Sequence, residues 1–128
     1  MGADCNLILI ADAGKRIIAA VHAGWKGTLH KLVSKVILFL KDRFKSNIED
    51  LFVSFGPSIR SCCYRVTDPV LKEFIQGFGK KSFFLKKHNG FFLDLVGINY
   101  TQLLESGIKK ENISDCNVCT CCSPGFFS

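Results

Sequence analysis

A hairpin pattern followed by a helical pattern occupies the first third of this sequence and most limits its fold. Residues 6–22 hold two apolar runs separated by turn residues at 12–15, which predicts a β-hairpin. After Thr28, an acceptable N-cap, apolar residues recur at helical spacing and predict a helix from about residue 29 to residue 45. The corner between them, residues 22–28 (HAGWKGT), therefore joins a buried strand to a helix.

The rest of the chain mixes strand and helix signals. Its patterns predict a strand at 51–55, a helix from Asp68-Pro69 to Gly77 or Gly79, a short strand at 83–85, a turn at Asn89-Gly90, a helix from the Asp94 cap to about Ser106 with Gly107 as its stop, and a last strand at 113–120. Because these elements follow no regular βαβ rhythm, we expect an α+β fold in one domain of 128 residues.

The charge of the chain limits its partners. The net charge is +6, with 17 Lys and Arg against 11 Asp and Glu, which would suit an anionic ligand. These basic residues are scattered, whereas nucleic-acid-binding proteins usually concentrate them on one face. No window reaches the roughly 18 consecutive apolar residues of a membrane span. We therefore expect neither a nucleic-acid nor a membrane partner.

Cysteine usage points to a reducing compartment. The chain has seven cysteines, and Asp4 stands where a secretory signal would have its basic residues. An odd number of cysteines without such a signal predicts a cytoplasmic protein with free or metal-bound thiols.

Cys5 and His22 form the first candidate site. They lie at or just beyond the ends of the two strands of the predicted hairpin, so both are expected near one edge of the same sheet. A thiolate beside an imidazole serves as a pair of metal ligands or as a Cys–His nucleophile. A buried cysteine and a structural histidine would give the same pattern.

The corner after His22 is the second candidate site. Gly24 and Gly27 allow close approach of the backbone to a ligand, Lys26 adds a positive charge, and the predicted helix start at Thr28 offers unpaired N–H groups. Such a corner predicts a seat for phosphate, although the P-loop motif is absent. Trp25 is more often a hydrophobic anchor than a stacking residue.

The other cysteines are harder to interpret. Adjacent side chains point in different directions, so packing is favoured for Cys62 and Cys63 over joint metal binding. The C-terminal run looks more metal-like, but a structural zinc site needs a second ligand pair, which only His88 or Cys62 and Cys63 could supply. The members of that run are Cys116, Cys119, Cys121 and Cys122.

Several short motifs occur in an order that resembles one known family. They are Ala3-Asp4-Cys5, residues 22–28, Gly56-Pro57-Ser58-Ile59, Cys62-Cys63-Tyr64 with Val66, Leu93-Asp94-Leu95, Asn99 with Gln102-Leu103, Cys119-Thr120 and Phe126-Phe127-Ser128. The set resembles the YfiH-like, laccase-domain family and covers essentially the whole chain.

The resemblance implies both a fold and an activity. Family members were long described as multicopper polyphenol oxidases, and are now described as cytoplasmic enzymes that cleave adenosine, inosine and methylthioadenosine with phosphate and deaminate adenosine. Their fold is a layered α/β/β/α sandwich, and their metal, usually zinc, is held by one cysteine and two histidines. The family's cysteine corresponds to Cys5 and one histidine to His22, which are the expected metal and catalytic residues. Apart from the resemblance, the glycine-rich corner itself makes Gly24, Lys26, Gly27 and Thr28 the expected substrate-binding residues.

The resemblance also shows departures from the family. The family's other metal histidine precedes the ADC motif, and an arginine-containing stretch follows FFS. Residues 1–128 are therefore expected to form an incomplete YfiH-like domain that lacks an N-terminal segment and a C-terminal tail. Arg65 stands where the family has a glutamate, and no spacing favours His30 or His88 as a replacement ligand.

Three alternatives to a zinc-dependent nucleoside enzyme stay open. The alternatives are a catalytically inactive remnant or binding partner, a hydrolase with Cys5 as its nucleophile, and a copper polyphenol oxidase. Copper is disfavoured because the chain has three histidines and its one methionine is Met1. The expected partners are purine nucleosides and phosphate, and the sequence leaves the oligomeric state open.

Overall fold

The computed structural model describes residues 4–79, 83–87 and 89–125. His88, Ala3 and the motif at 126–128 lie outside these residues. The strands are β1 (Asn6–Asp12), β2 (Ile17–Ala23), β3 (Leu51–Phe55), β4 (Arg65–Val66), β5 (Phe84–Lys87), β6 (Gly90–Leu93) and β7 (Ile113–Asp115). The helices are α1 (Trp25–Leu29), α2 (Leu32–Phe44), α3 (Asp68–Phe78) and α4 (Leu95–Glu105).

The predicted hairpin is confirmed, and it forms half of a four-stranded sheet. β1 pairs antiparallel with β2 from Asn6 opposite Ala23 to Asp12 opposite Ile17. The strand order is β2-β1-β3-β7, with β3 antiparallel to β1 and β7 parallel to β3. The turn is closed by Lys15, whose backbone N–H donates to the Asp12 carboxylate at 2.9 Å.

The predicted helix at 29–45 is wrong at its start, because the structure has two helices there. α1 begins at Trp25 with Gly24 as its N-cap, and Lys31 takes a left-handed conformation (φ 56°) before α2 begins. This break gives the two helices different packing partners. Leu29 packs against one apolar cluster, whereas Val33 belongs to another.

The main core lies between the four-stranded sheet and the helices α2 and α4. Along β1 the side chains alternate between buried and exposed, as expected for a strand covered on one face. The buried face carries Ile8 and Ile10, which belong to one cluster with Ile37 of α2 and Leu103 of α4. One helical layer on one sheet confirms the α+β class and corresponds to half of the α/β/β/α arrangement.

The other face of this sheet is apolar but exposed. Leu7, Leu9, Ile18 and Phe52 are between 46% and 78% accessible to solvent. A cleft of about 340 Å³ crosses this face, and neither a histidine nor a cysteine lines it.

The second part of the fold is a small sheet with its own core. Its strands have the order β4-β6-β5, and α3 and α4 supply the apolar residues beside it. The sequence patterns predicted α3 and α4 but missed β4, which has only two residues, and β6. Asp94 caps α4 as predicted, since its carboxylate accepts the backbone N–H of Gly97 at 2.9 Å.

The predicted last strand at 113–120 is wrong in length. β7 ends at Asp115, and Asn117 then takes a left-handed conformation (φ 56°) that an extended strand does not allow. The chain regains strand-like contact at one residue, where Cys119 bridges to Ser58. Across the described ranges, none of the helices has the length and apolar character needed to cross a membrane.

Two phenylalanines of β3 give a matched test of which face is buried. Phe55 is 1% exposed and Phe52 is 48% exposed. We expect Phe55→Ala to lower the free energy of unfolding by about 3–5 kcal/mol, because it leaves a cavity in the core. Phe52→Ala should cost about 1 kcal/mol or less. Urea denaturation measures both, and equal losses would contradict this assignment of faces.

Candidate functional site

One cleft brings together most of the residues that the sequence singled out. It has a volume of about 340 Å³, and its walls come from the chain before β1, the β2–α1 corner, the loop after β3 and the start of α4. Its lining residues are Asp4, Cys5, His22, Gly24, Trp25, Lys26, Gly27, Ile59, Tyr64 and Leu95.

The register of the hairpin explains why Cys5 and the corner meet. Because Asn6 lies opposite Ala23, the next residues outward along the two strands are Cys5 and Gly24. A Cβ atom added at Gly24 would lie 3.1 Å from the Cys5 Sγ atom. Glycine at this position therefore leaves the space that the thiol occupies. His22 is exposed and lies opposite Leu7.

Thr28 supports the corner from inside the protein and does not line the cleft. Its side chain is fully buried, and its hydroxyl accepts a hydrogen bond of 2.9 Å from the Asn99 amide nitrogen. The Gln102 amide nitrogen donates to the Thr28 carbonyl at 2.9 Å. These bonds fix α1 to α4. Of the four expected substrate-binding residues, Gly24, Lys26 and Gly27 line the cleft.

Aromatic side chains form part of the cleft wall. Trp25 packs against the second apolar cluster, and the Lys26 Nζ atom lies 5.5 Å from the centre of its ring, at the distance of a cation–π contact. Tyr64 packs against the same cluster, and burial, followed by the nearby Cys5, raises the pKa of its hydroxyl. Tyr64 thus stays protonated at neutral pH. Sequence reasoning did not select it, although the CCY motif contained the signal.

Cys5 and His22 provide two donors of the kind that zinc prefers. A catalytic zinc site uses about three protein ligands. Within residues 4–79, 83–87 and 89–125, no further His, Cys, Asp or Glu joins this pair in a group of three compact enough for one ion. Asp4 also lines the cleft, and its carboxylate accepts a hydrogen bond from the Thr120 hydroxyl at 2.7 Å. The pair therefore fits two positions of a three-ligand site.

The structure also gathers four other cysteines at a separate place. Cys62 and Cys63 meet Cys119 and Cys122, and their four sulfur atoms all lie within 4.8 Å of one another. We call this group the four-cysteine cluster. The expectation that Cys62 and Cys63 point apart is wrong here, because the turn at residues 61–63 directs both sulfur atoms to the same neighbours.

The thiols of the four-cysteine cluster differ in acidity. Burial opposes the Cys119 thiolate, but hydrogen bonds from the backbone of Cys122, Arg60 and Cys121 outweigh it and lower the pKa of Cys119 to about 6. Burial, with hydrogen bonds to the neighbouring thiols, raises the pKa of Cys63. A single thiolate in the cluster is therefore favoured at Cys119.

An ion pair ties together the two loops that carry these cysteines. The Arg60 guanidinium donates two hydrogen bonds of 2.7 Å to the Asp115 carboxylate. It also donates to the Val118 carbonyl at 3.3 Å. Although partial burial opposes ionisation of Asp115, the hydrogen bond from Arg60, the hydrogen bond from the Asn117 backbone and the charge of Arg60 together outweigh it and lower the pKa of that carboxyl.

The fold and the cleft define an α+β protein with a thiol–imidazole pair at a glycine-rich corner. Residues 1–128 match the family model described as multi-copper polyphenol oxidoreductase laccase. The chain belongs to this family, as its YfiH-like motifs predicted.

Relatives in this family agree in sequence and in fold. A purine nucleoside phosphorylase from Clostridium acetobutylicum is 37% identical over 94% of this chain and 50% of that protein. The purine nucleoside phosphorylase YlmD from Bacillus subtilis is 30% identical over 98% of this chain and 46% of that protein. The crystal structure of the protein YfiH from Bacillus licheniformis superposes with a TM-score of 0.87 at 31% identity, covering 98% of this chain and 48% of that one. The chain thus spans about half the length of these relatives.

The buried threonine at the corner allows a test of the α1–α4 connection. Thr28→Val keeps the side-chain shape but removes the acceptor for Asn99. We expect a loss of about 1–3 kcal/mol in the free energy of unfolding, because a buried amide loses a partner. Thr101→Val is the control, since that hydroxyl bonds within its own helix. Urea denaturation of both variants provides the comparison, and an equal effect would contradict the role given to Thr28.

The Arg60–Asp115 pair predicts a pH-dependent contribution to stability. Because the pKa of Asp115 is lowered in the folded state, the pair stabilises the protein above the ordinary carboxyl pKa of about 3.9. This contribution disappears as the pH falls through the lower folded value. We expect Asp115→Asn to cost about 1 kcal/mol at pH 7. The cost should vanish in strong acid. Urea denaturation across this pH range, with Asp42→Asn on α2 as control, measures it, and a pH-independent loss would contradict the ion-pair explanation.

Proposed function

We propose that this chain provides half of a zinc-dependent purine nucleoside phosphorylase, with its active site at the Cys5–His22 cleft. The observation that supports this most directly is the joint lining of one cleft by the thiol, the imidazole and the Gly24–Lys26–Gly27 corner. The relatives that this chain matches over about half of their length are named purine nucleoside phosphorylases. The proposed reaction is cleavage of adenosine, inosine or methylthioadenosine by phosphate.

The chemistry requires a nucleophile, a leaving group and a site that holds both. A phosphate oxygen attacks the anomeric carbon of the ribose, the bond from that carbon to the purine nitrogen breaks, and the purine leaves with a proton. The products are the free base and ribose 1-phosphate, or 5-methylthioribose 1-phosphate when methylthioadenosine is the substrate. The same cleft is proposed to accept adenosine for deamination, in which water adds at the purine carbon that bears the amino group and ammonia leaves, so that inosine forms.

Each side of the cleft has a part in this proposal. Lys26 is exposed, so its ammonium group is available to attract phosphate. Trp25 and Tyr64 provide aromatic surface, and Ile59 and Leu95 add apolar surface, against which a purine ring would lose contact with water.

Cys5 and His22 are the proposed zinc ligands. Zinc would act as a Lewis acid when it is bound. The third protein ligand is proposed to be a histidine on the segment that precedes the ADC motif in this family.

Free and metal-bound thiols persist in reducing conditions, so we propose a cytoplasmic location.

A histidine pair gives a matched test of this function. His22 lines the cleft, whereas His30 is exposed at the end of α1 and does not line it. In a protein that also carries the histidine segment proposed to precede the ADC motif, we expect release of hypoxanthine from inosine to require phosphate, and His22→Ala to lower kcat/KM at least about 100-fold because it removes a metal ligand. His30→Ala should match the unsubstituted protein. Chromatography of the base and of ribose 1-phosphate measures both products.

The same assay tests whether Lys26 binds phosphate, and it distinguishes the proposed phosphorylase from a Cys–His hydrolase. Lys26→Ala should raise the KM for phosphate about tenfold, the effect of losing a contact worth about 1.4 kcal/mol, with Lys35→Ala on α2 as control. Cleavage without phosphate, or an unchanged His22→Ala variant, would contradict the proposal. Activity that survives chelators but is lost on thiol alkylation would instead favour the Cys–His hydrolase.

A further inference from the structure

The four-cysteine cluster lies outside the Cys5–His22 cleft, and the proposed reaction uses none of its thiols. Its members come from two loops that are 60 residues apart in sequence at Cys62 and Cys122. Cys119 is buried, Cys63 is half-buried, and Cys62 and Cys122 are exposed. A group of thiols assembled from distant loops needs a physical reason to be together.

The geometry of the cluster is close to that of a four-sulfur metal site. In a tetrahedral zinc site with Zn–S bonds of about 2.3 Å, neighbouring sulfur atoms are about 3.8 Å apart. The Cys62 and Cys122 Sγ atoms are 3.8 Å apart, and no pair in the cluster exceeds 4.8 Å. A disulfide would require about 2.05 Å, so the observed separation matches ligands around an ion better than a sulfur–sulfur bond.

The local sequence suits this geometry. Cys119 and Cys122 have the C-x₂-C spacing that is common in zinc sites. Cys62 and Cys63 replace the usual second C-x₂-C pair. They do so in a tight turn, where the backbone N–H groups of Cys63 and Tyr64 both donate to the Arg60 carbonyl, at 2.9 Å and 2.8 Å.

Contacts within the protein hold the two loops in place. The Ser58 N–H donates to the Val118 carbonyl at 3.2 Å, and the Thr120 N–H donates to the Ser58 carbonyl at 3.1 Å. The ion pair between Arg60 and Asp115 joins the same loops. Ligands fixed in this way lose less conformational entropy when they bind an ion.

From these observations we infer that Cys62, Cys63, Cys119 and Cys122 together bind one structural zinc ion. Four thiolates fill a tetrahedral site and leave no open position, which is typical of structural zinc and not of catalytic zinc. The backbone N–H groups that hydrogen-bond to Cys119 offset part of the negative charge of the thiolates.

The ion would also stabilise one side of the active-site cleft. Tyr64 follows Cys63 directly, and the Ile59 N–H donates to the Asp4 carbonyl at 3.0 Å. The Thr120 hydroxyl, between Cys119 and Cys122, donates to the Asp4 carboxylate. Zinc at the cluster thus fixes the segment next to Cys5 without contacting substrate.

Metal content tests this inference directly. The 128-residue chain is prepared under reducing conditions with zinc and dialysed against a weak chelator, and bound zinc is measured by mass spectrometry. We expect Cys119→Ser/Cys122→Ser to hold one ion fewer than the unsubstituted protein and to melt about 10 °C lower, because structural zinc contributes to folding free energy. Cys116→Ser, at an exposed cysteine outside the cluster, should retain both properties.

X-ray absorption at the zinc edge keeps the test decisive if the double variant fails to fold. It is recorded on His22→Ala, so that the Cys5–His22 site does not contribute. We expect four sulfur neighbours at about 2.3 Å. Nitrogen or oxygen neighbours, zinc content equal in the double variant and the control, or disulfides among the four cysteines in reduced, zinc-supplied protein would each overturn the inference.

Discussion

The antiparallel register of β1 and β2 is the constraint on which the candidate active site depends. It sets Asn6 opposite Ala23, and Cys5 and Gly24 are the residues just beyond this pair. The thiol and the corner meet because the two strands are held together by a ladder of backbone hydrogen bonds. A shift of one residue would turn the buried face of β1 outward and separate Cys5 from Gly24.

Two sets of contacts hold the corner and the cleft in place beyond the β1–β2 register. Behind the corner, Thr28 pairs with Asn99 and Gln102 of α4, so α1 cannot move independently of the helix that also lines the cleft. In front of it, the loop after β3 and the loop after β7 are joined through Ser58 and through Arg60. A site with few residues of its own is thus fixed from both sides, as precise positioning of ligands requires.

The four-stranded sheet has an apolar face that is exposed to solvent. Leu9 and Ile18 lie on the face opposite the core and stay largely accessible, although side chains of this type are usually buried. The chain spans about half the length of its curated relatives. Within the described residues, helices cover one face of the four-stranded sheet and leave the other face exposed. The Cys5–His22 pair likewise offers two donors of the kind that zinc prefers.

The sequence by itself determined the elements whose signals are local. The hairpin and the caps at Asp94 and Gly79 follow from residues within a few positions of one another. The α+β class and the family follow from the order of such local patterns along the chain. Only the tertiary structure decided which side Thr28 faces, where the helix after the corner breaks, and that Cys62 and Cys63 meet Cys119 and Cys122. The contacts of Thr28 with Asn99 and of Cys62 with Cys122 join segments 60 residues or more apart. Local propensity carries no information about such contacts, because packing against distant partners selects one of several conformations that the local sequence allows.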